Sequence, residues 1–153
     1  MRRAPVFATI AVLAAAIVVG ACASGRSADA ERDDDAVPTC EAGFSTPAGF
    51  HPTGSLEDPY ADHVGIRLDF ADDENRELHY FAGIPGEFGE GLPSAGTVPV
   101  AADLEGVLQG SEGTWVLTWR GPGPCGVRAV LGSGFDRAGF LETLERAGII
   151  PAR

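Results

Sequence analysis

Three histidines and three cysteines carry most of the reactive chemistry of this 153-residue chain: His51, His63 and His79, with Cys22, Cys40 and Cys125. His63 stands near Asp58 and Asp62, and a hairpin is expected to bring His79 opposite it. Imidazoles beside carboxylates are a donor set for zinc, but a closed site needs three or four of them converging. The helical i, i+4 histidine pair of a metalloprotease is missing. Ser133, His79 and Asp103 supply the residue types of a nucleophilic hydrolase. Gly132-Ser133-Gly134 lacks the Gly-x-Ser-x-Gly elbow, so Ser133 reads as part of a glycine-flexed turn before a helix. The glycine-rich run 83–91 has no strand-to-helix setting that would cradle a phosphate. Trp115 and Trp119 share one strand face and are able to stack on a sugar or peptide, but with Leu117 between them they read as core. These residues predict no catalytic centre, no bound metal and no cofactor.

The cysteines are more informative. Residues 4–21 are uncharged and mostly apolar, follow Arg2 and Arg3, and end in Val19-Gly20-Ala21-Cys22. A basic start, an apolar run and small residues before a cleavage point define a secretory signal. The tetrad resembles the lipobox of bacterial lipoproteins. That resemblance implies removal of residues 1–21 and attachment of a diacylglyceryl group, palmitate being a typical chain, to Cys22. Two acyl chains give the stable anchoring that one chain does not. The competing reading is an uncleaved membrane helix at the lower edge of spanning length. Either way Arg2 and Arg3 hold the N-terminus inside, and the rest of the chain lies outside the cytoplasm. The Arg-Arg pair also fits twin-arginine export, but the other residues of that motif are absent, which favours general secretion. With Cys22 lipidated, Cys40 and Cys125 remain. An extracytoplasmic domain with two cysteines most simply forms one disulfide; the alternative is two free thiols.

Charge narrows the partners. The chain carries 11 basic and 22 acidic residues, a formal charge of −11. Without Arg2 and Arg3 the mature charge becomes −13. So acidic a body repels phosphate backbones and anionic headgroups, which argues against nucleic acid and leaves membrane attachment to the anchor. All the basic residues are arginine; with abundant Ala and Gly this suggests a GC-rich, actinobacterial genome. Residues 22–39 lack a hydrophobic period and include Asp33-Asp34-Asp35, which reads as an acidic tether rather than a calcium loop, since no turn glycine is in register.

Residues 40–153 are expected to form one extracytoplasmic domain. Val64, Ile66, Leu68 and Phe70 alternate with polar residues or glycine, as do Leu78, Tyr80 and Ala82 with their neighbours, and Asp72–Asn75 between them predicts a hairpin. Three further strands are expected at 104–109, 114–120 and 125–131, joined by the turns Gly110–Gly113 and Gly121–Pro124. In the last, Val127, Ala129 and Leu131 share a face. Segments 41–60 and 83–99 read as irregular, with Phe88 and Leu92 pinning the second to the core. A helix is expected over 136–147, with Phe140, Leu144 and Ala147 as its apolar stripe beside Leu141, a cap at Asp136 or Ser133, and a stop at Gly148. The fold class is therefore α+β: an antiparallel sheet of about five strands with one C-terminal helix on one face.

The stretch Leu104–Ile150, with Gly106-Val107-Leu108, Trp115–Trp119, Val127–Gly132 and Phe140-Leu141, loosely resembles a small extracytoplasmic module of unknown function. Such modules occur in bacterial lipoproteins and in outer parts of membrane-bound regulators. The resemblance implies no catalytic residue. Taken together, these features predict a lipid-anchored envelope protein on the outer face of the cell membrane that binds another envelope protein or a small ligand. The alternative is a secreted hydrolase or metal-dependent enzyme using His63 or His79.

Overall fold

The computed structural model describes residues 37–41, 43–100 and 103–152. The leader, Cys22 and the tether up to residue 36 lie outside the described residues. The strands are β1 (Phe50–Pro59), β2 (Val64–Asp72), β3 (Glu77–Ala82), β4 (Ser94–Val100), β5 (Leu104–Ser111), β6 (Gly113–Arg120) and β7 (Val127–Phe135), followed by α1 (Arg137–Arg146). They form one seven-stranded sheet in the order β1-β2-β3-β7-β6-β5-β4, with every neighbouring pair antiparallel. Just before the domain, Thr39 makes an isolated parallel bridge with Val64. Among the described residues no helix is long and apolar enough to cross a membrane.

The expected hairpin and the three C-terminal strands are present, but the sheet has seven strands rather than about five. The two additions, β1 and β4, lie in the segments read as irregular, and both are edges of the sheet. Proline is excluded from central strands because it cannot donate to the ladder, yet edges tolerate it. β1 contains Pro52 and Pro59 and β4 contains Pro99. β1 is exposed along nearly its whole length, so no apolar alternation marks it. Pro52/Gly54 in β1 and Ser94/Gly96 in β4 also mark register shifts.

One sheet face is covered and the other is largely open. On the covered face lie Phe70, Leu78, Tyr80, Val130, Leu117 and Leu108, all nearly or fully buried. The register fixes this: Tyr80 pairs with Val130, and Val130 with Leu117. In β7 the core-facing set is therefore Arg128, Val130 and Gly132, while Ala129 and Leu131 point to the opposite face. The cover consists of α1, through Phe140, Leu141 and Leu144, the C-terminal Ile149 and Ile150, and the segment after Cys40. In that segment Phe44 stacks on Tyr80 with ring centroids 5.1 Å apart.

α1 begins where Asp136 accepts a hydrogen bond from the Gly139 N–H at 2.7 Å, so Asp136 rather than Ser133 is the cap. It ends in a Schellman motif: the Gly148 N–H donates to the Glu145 carbonyl and the Ile149 N–H to the Leu144 carbonyl, each at 3.0 Å. The left-handed conformation of Gly148, φ 74°, makes this turn possible. It returns Ile149 to the core.

The segment between β3 and β4 crosses the open face. Phe88 packs on Phe81, with centroids 4.8 Å apart, so it is pinned to the open face and not to the core as expected. Gln109 donates to the Gly89 carbonyl, and Val116 beneath is fully buried.

Candidate functional site

The histidines do not converge. His79 lies across β2–β3 from Asp69, not from His63. Its Nδ1 is 2.6 Å from Asp69 Oδ1, which also accepts from Arg67 Nε at 2.7 Å. The Arg67 guanidinium sits 5.6 Å over the Phe81 ring. Burial by itself would raise the Asp69 pKa, but hydrogen bonds from His79 and Arg67 outweigh it and hold the carboxyl below its ordinary value. His79 Nε2 faces Glu77 at 3.7 Å. Ser133 pairs with Glu77, diagonal to His79, and Asp103 precedes β5, three strands away from β3. The Ser133–His79–Asp103 set is thus not assembled. His51 is exposed on edge strand β1. Among the described residues no group of three or more His, Cys, Asp or Glu side chains is placed to hold a metal ion.

His63 has a different setting. It is 8% exposed and stacks on Tyr60, with ring centroids 4.9 Å apart. The Tyr60 hydroxyl donates to Asp58, so Asp58 acts on His63 only through that ring. His63 Nε2 is 2.6 Å from the Gly83 carbonyl and Nδ1 is 2.7 Å from Asp62 Oδ1. Both partners are acceptors, so the doubly protonated ring is satisfied at both nitrogens. The Gly83 carbonyl first, and the Asp62 carboxylate second, raise the His63 pKa above 6.5 against the opposing effect of burial. The hydrogen bond from His63 lowers the Asp62 pKa below 3.8.

The His63 contribution to stability is complete below the unfolded-state pKa and is lost as pH rises through the higher folded-state value. Asp62 contributes above its unfolded-state pKa and loses this as pH falls through its lower folded value. The expected result is a thermal midpoint higher at about pH 5.5 than at about pH 8, with the difference reduced in His63→Gln. Differential scanning calorimetry at the two pH values checks this; an unchanged difference in the variant refutes it.

Cys40 and Cys125 form a disulfide, with Cα atoms 5.4 Å apart. Residues that follow the two cysteines, Gly43 after Cys40 and Arg128 after Cys125, help to line a cleft of about 310 Å³. Trp119 and Arg128 are a cross-strand pair of β6 and β7 on the covered face. Past them the chain turns through Gly121 and Pro122, and the Gly121 N–H donates to the Gly126 carbonyl at 2.8 Å. Gly43, three residues after Cys40, passes over the Arg128 guanidinium, so closely that a β-carbon there would come within 2.8 Å of Arg128 Nη1. The Schellman turn adds Gly148 and Ile149 to the wall.

Arg128 is half-buried and donates to the Tyr80 hydroxyl at 3.3 Å. Burial raises the Tyr80 pKa, opposed by the Arg128 charge. Among the described residues Arg67, Arg76 and Arg146 each pair with a carboxylate, and Arg120 and Arg137 are exposed, whereas half-buried Arg128 has no carboxylate partner. Among the described residues no acidic side chain lines the cleft. A second groove of about 410 Å³, which includes Phe44, Leu68 and Phe70, has no charged residue among its described lining residues.

The two tryptophans therefore divide. Trp115 is core, its indole N–H donating to the Phe135 carbonyl at 3.2 Å, while Trp119 forms a wall of the cleft. Sequence reasoning missed Arg128. Its signal was phase, since Arg128 shares the inward side of β7 with Val130 and Gly132. No protein-family model matches this sequence, and neither a curated protein nor a solved structure matches it.

Proposed function

We propose that this chain is a lipid-anchored, extracytoplasmic binding module of the bacterial cell envelope, attached to the outer face of the membrane through Cys22 and non-catalytic. The observation that carries this reading is the Cys40–Cys125 disulfide. Such bridges persist in oxidising compartments, and the signal-like leader with Val19-Gly20-Ala21-Cys22 agrees with that setting. The cleft lined by Trp119 and Arg128 supports binding as the role, and the acidity of the chain argues against a nucleic-acid partner.

The test is the intact mass of the protein recovered from the membrane fraction without reduction. The expected mass corresponds to cleavage before Cys22, plus acyl groups, minus two hydrogens. A full-length, unacylated mass overturns the lipid anchor in favour of a membrane-spanning leader. A mass without the loss of two hydrogens overturns the disulfide.

A further inference from the structure

The geometry points to the Trp119–Arg128 cleft as a binding site for a carboxylate carried on a compact apolar body. The inference deepens the binding-module reading and does not depend on the anchor. Arg128 is half-buried in the cleft wall, and among the described residues its side chain meets the Tyr80 hydroxyl but no counter-charge. Its planar fork matches a carboxylate bidentately. The rest of the wall is apolar or backbone, with the Trp119 ring across the strand pair, Leu104 and Ile149. A volume of about 310 Å³ lies at the small end of ligand pockets, which limits the occupant to a compact molecule or the terminal residue of a peptide. The overall charge of −11 selects against polyanions, while an acid-free lining leaves a single negative charge unopposed at close range.

Benzoate and its neutral isostere benzamide are suitable probes. They are titrated by calorimetry and by tryptophan fluorescence into the full chain, purified from membranes in mild detergent. Benzoate is expected to saturate with a Kd on the order of millimolar, as befits so few atoms. Benzamide should bind about tenfold more weakly, because it cannot form the charge-assisted pair. Arg128→Gln should weaken benzoate about tenfold and abolish the preference for benzoate over benzamide, while Arg128→Lys, keeping the charge without the fork, falls between. Trp119→Phe should remove the fluorescence response, leaving the signal of buried Trp115.

Equal binding of the two probes, no saturable binding of benzoate, or unchanged benzoate affinity in Arg128→Gln overturns the proposal. The preference within the unmodified protein decides the question even where a variant fails to fold. A tripeptide ending in free phenylalanine, compared with its C-terminal amide, distinguishes the sources. Preference for the free peptide over benzoate identifies a polypeptide terminus, and the reverse identifies a small organic acid. Failure of the lipid-anchor reading appears in the membrane-fraction mass and leaves these titrations unaffected.

Discussion

Replacing Cys40 and Cys125 together by serine should lower the unfolding free energy by about 4–5 kcal/mol. The bridged residues are 85 apart, and the loop they close contains β1 to β6. In the chain-entropy account a cross-link of this span removes much of the freedom of the unfolded chain. Domains of this size hold only about 5–15 kcal/mol in total, so the loss consumes a large share. A second effect acts on the folded state. The segment after Cys40 supplies Phe44, which stacks on Tyr80 and lies 5.1 Å from Phe70, and freeing that segment loosens the cover over this end of the sheet. Urea titration of the full chain, oxidised and as the double-serine variant, measures the difference. A loss below about 1 kcal/mol shows that the unfolded chain gains little freedom, and refutes the estimate.

The other large effect is expected at the contact of helix and sheet. Phe140 is fully buried, and its ring lies directly over Gly132 in β7. A β-carbon at position 132 would sit 2.6 Å from the Phe140 ring, so glycine here permits a close approach. Phe140→Ala should cost about 3–5 kcal/mol through lost burial and the cavity left behind. Gly132→Ala should also destabilise, by about 1–3 kcal/mol, because the ring must leave its seat. The two losses should not add: once the ring is gone, a methyl group on Gly132 partly fills the space, and the double variant should be more stable than the sum of its parts. Strict additivity in a double-mutant cycle would show that the ring and Gly132 do not meet.

The centre of the sheet was legible because it is half-buried. Val64–Phe70, Leu78–Ala82 and Trp115–Trp119 alternate with period two, and the register places those residues on one face. The edges were not legible, for the same physical reason. β1 buries almost nothing, so nothing selects an apolar alternation in it, and its prolines imitate a loop. The helix was readable to within a residue at each end, since its cap, stripe and stop are local signals. Functional residues were harder. The Cys40–Cys125 pairing was legible by counting, because two cysteines remain once Cys22 is set aside, whereas His63 and His79 were expected to face one another and instead hold separate carboxylates. Arg128 was hidden because a charge within an apolar strand is ordinarily taken as the outward residue. The register with Ala82 and Trp119 on the neighbouring strands shows that it points inward, in phase with Val130.

The position of β7 has a consequence for the order in which the domain comes into being. The last strand of the chain lies in the middle of the sheet, between β3 and β6. A polypeptide emerging N-terminus first from a ribosome can assemble β1–β3 as one meander and β4–β6 as another, yet the two share no border in the sheet until β7 arrives. Cys125 lies in the short turn just before β7, so the partner of Cys40 arrives at nearly the same moment. The keystone strand and the bond that locks it follow both meanders in the chain, so one late step joins the halves of the sheet and fixes the join.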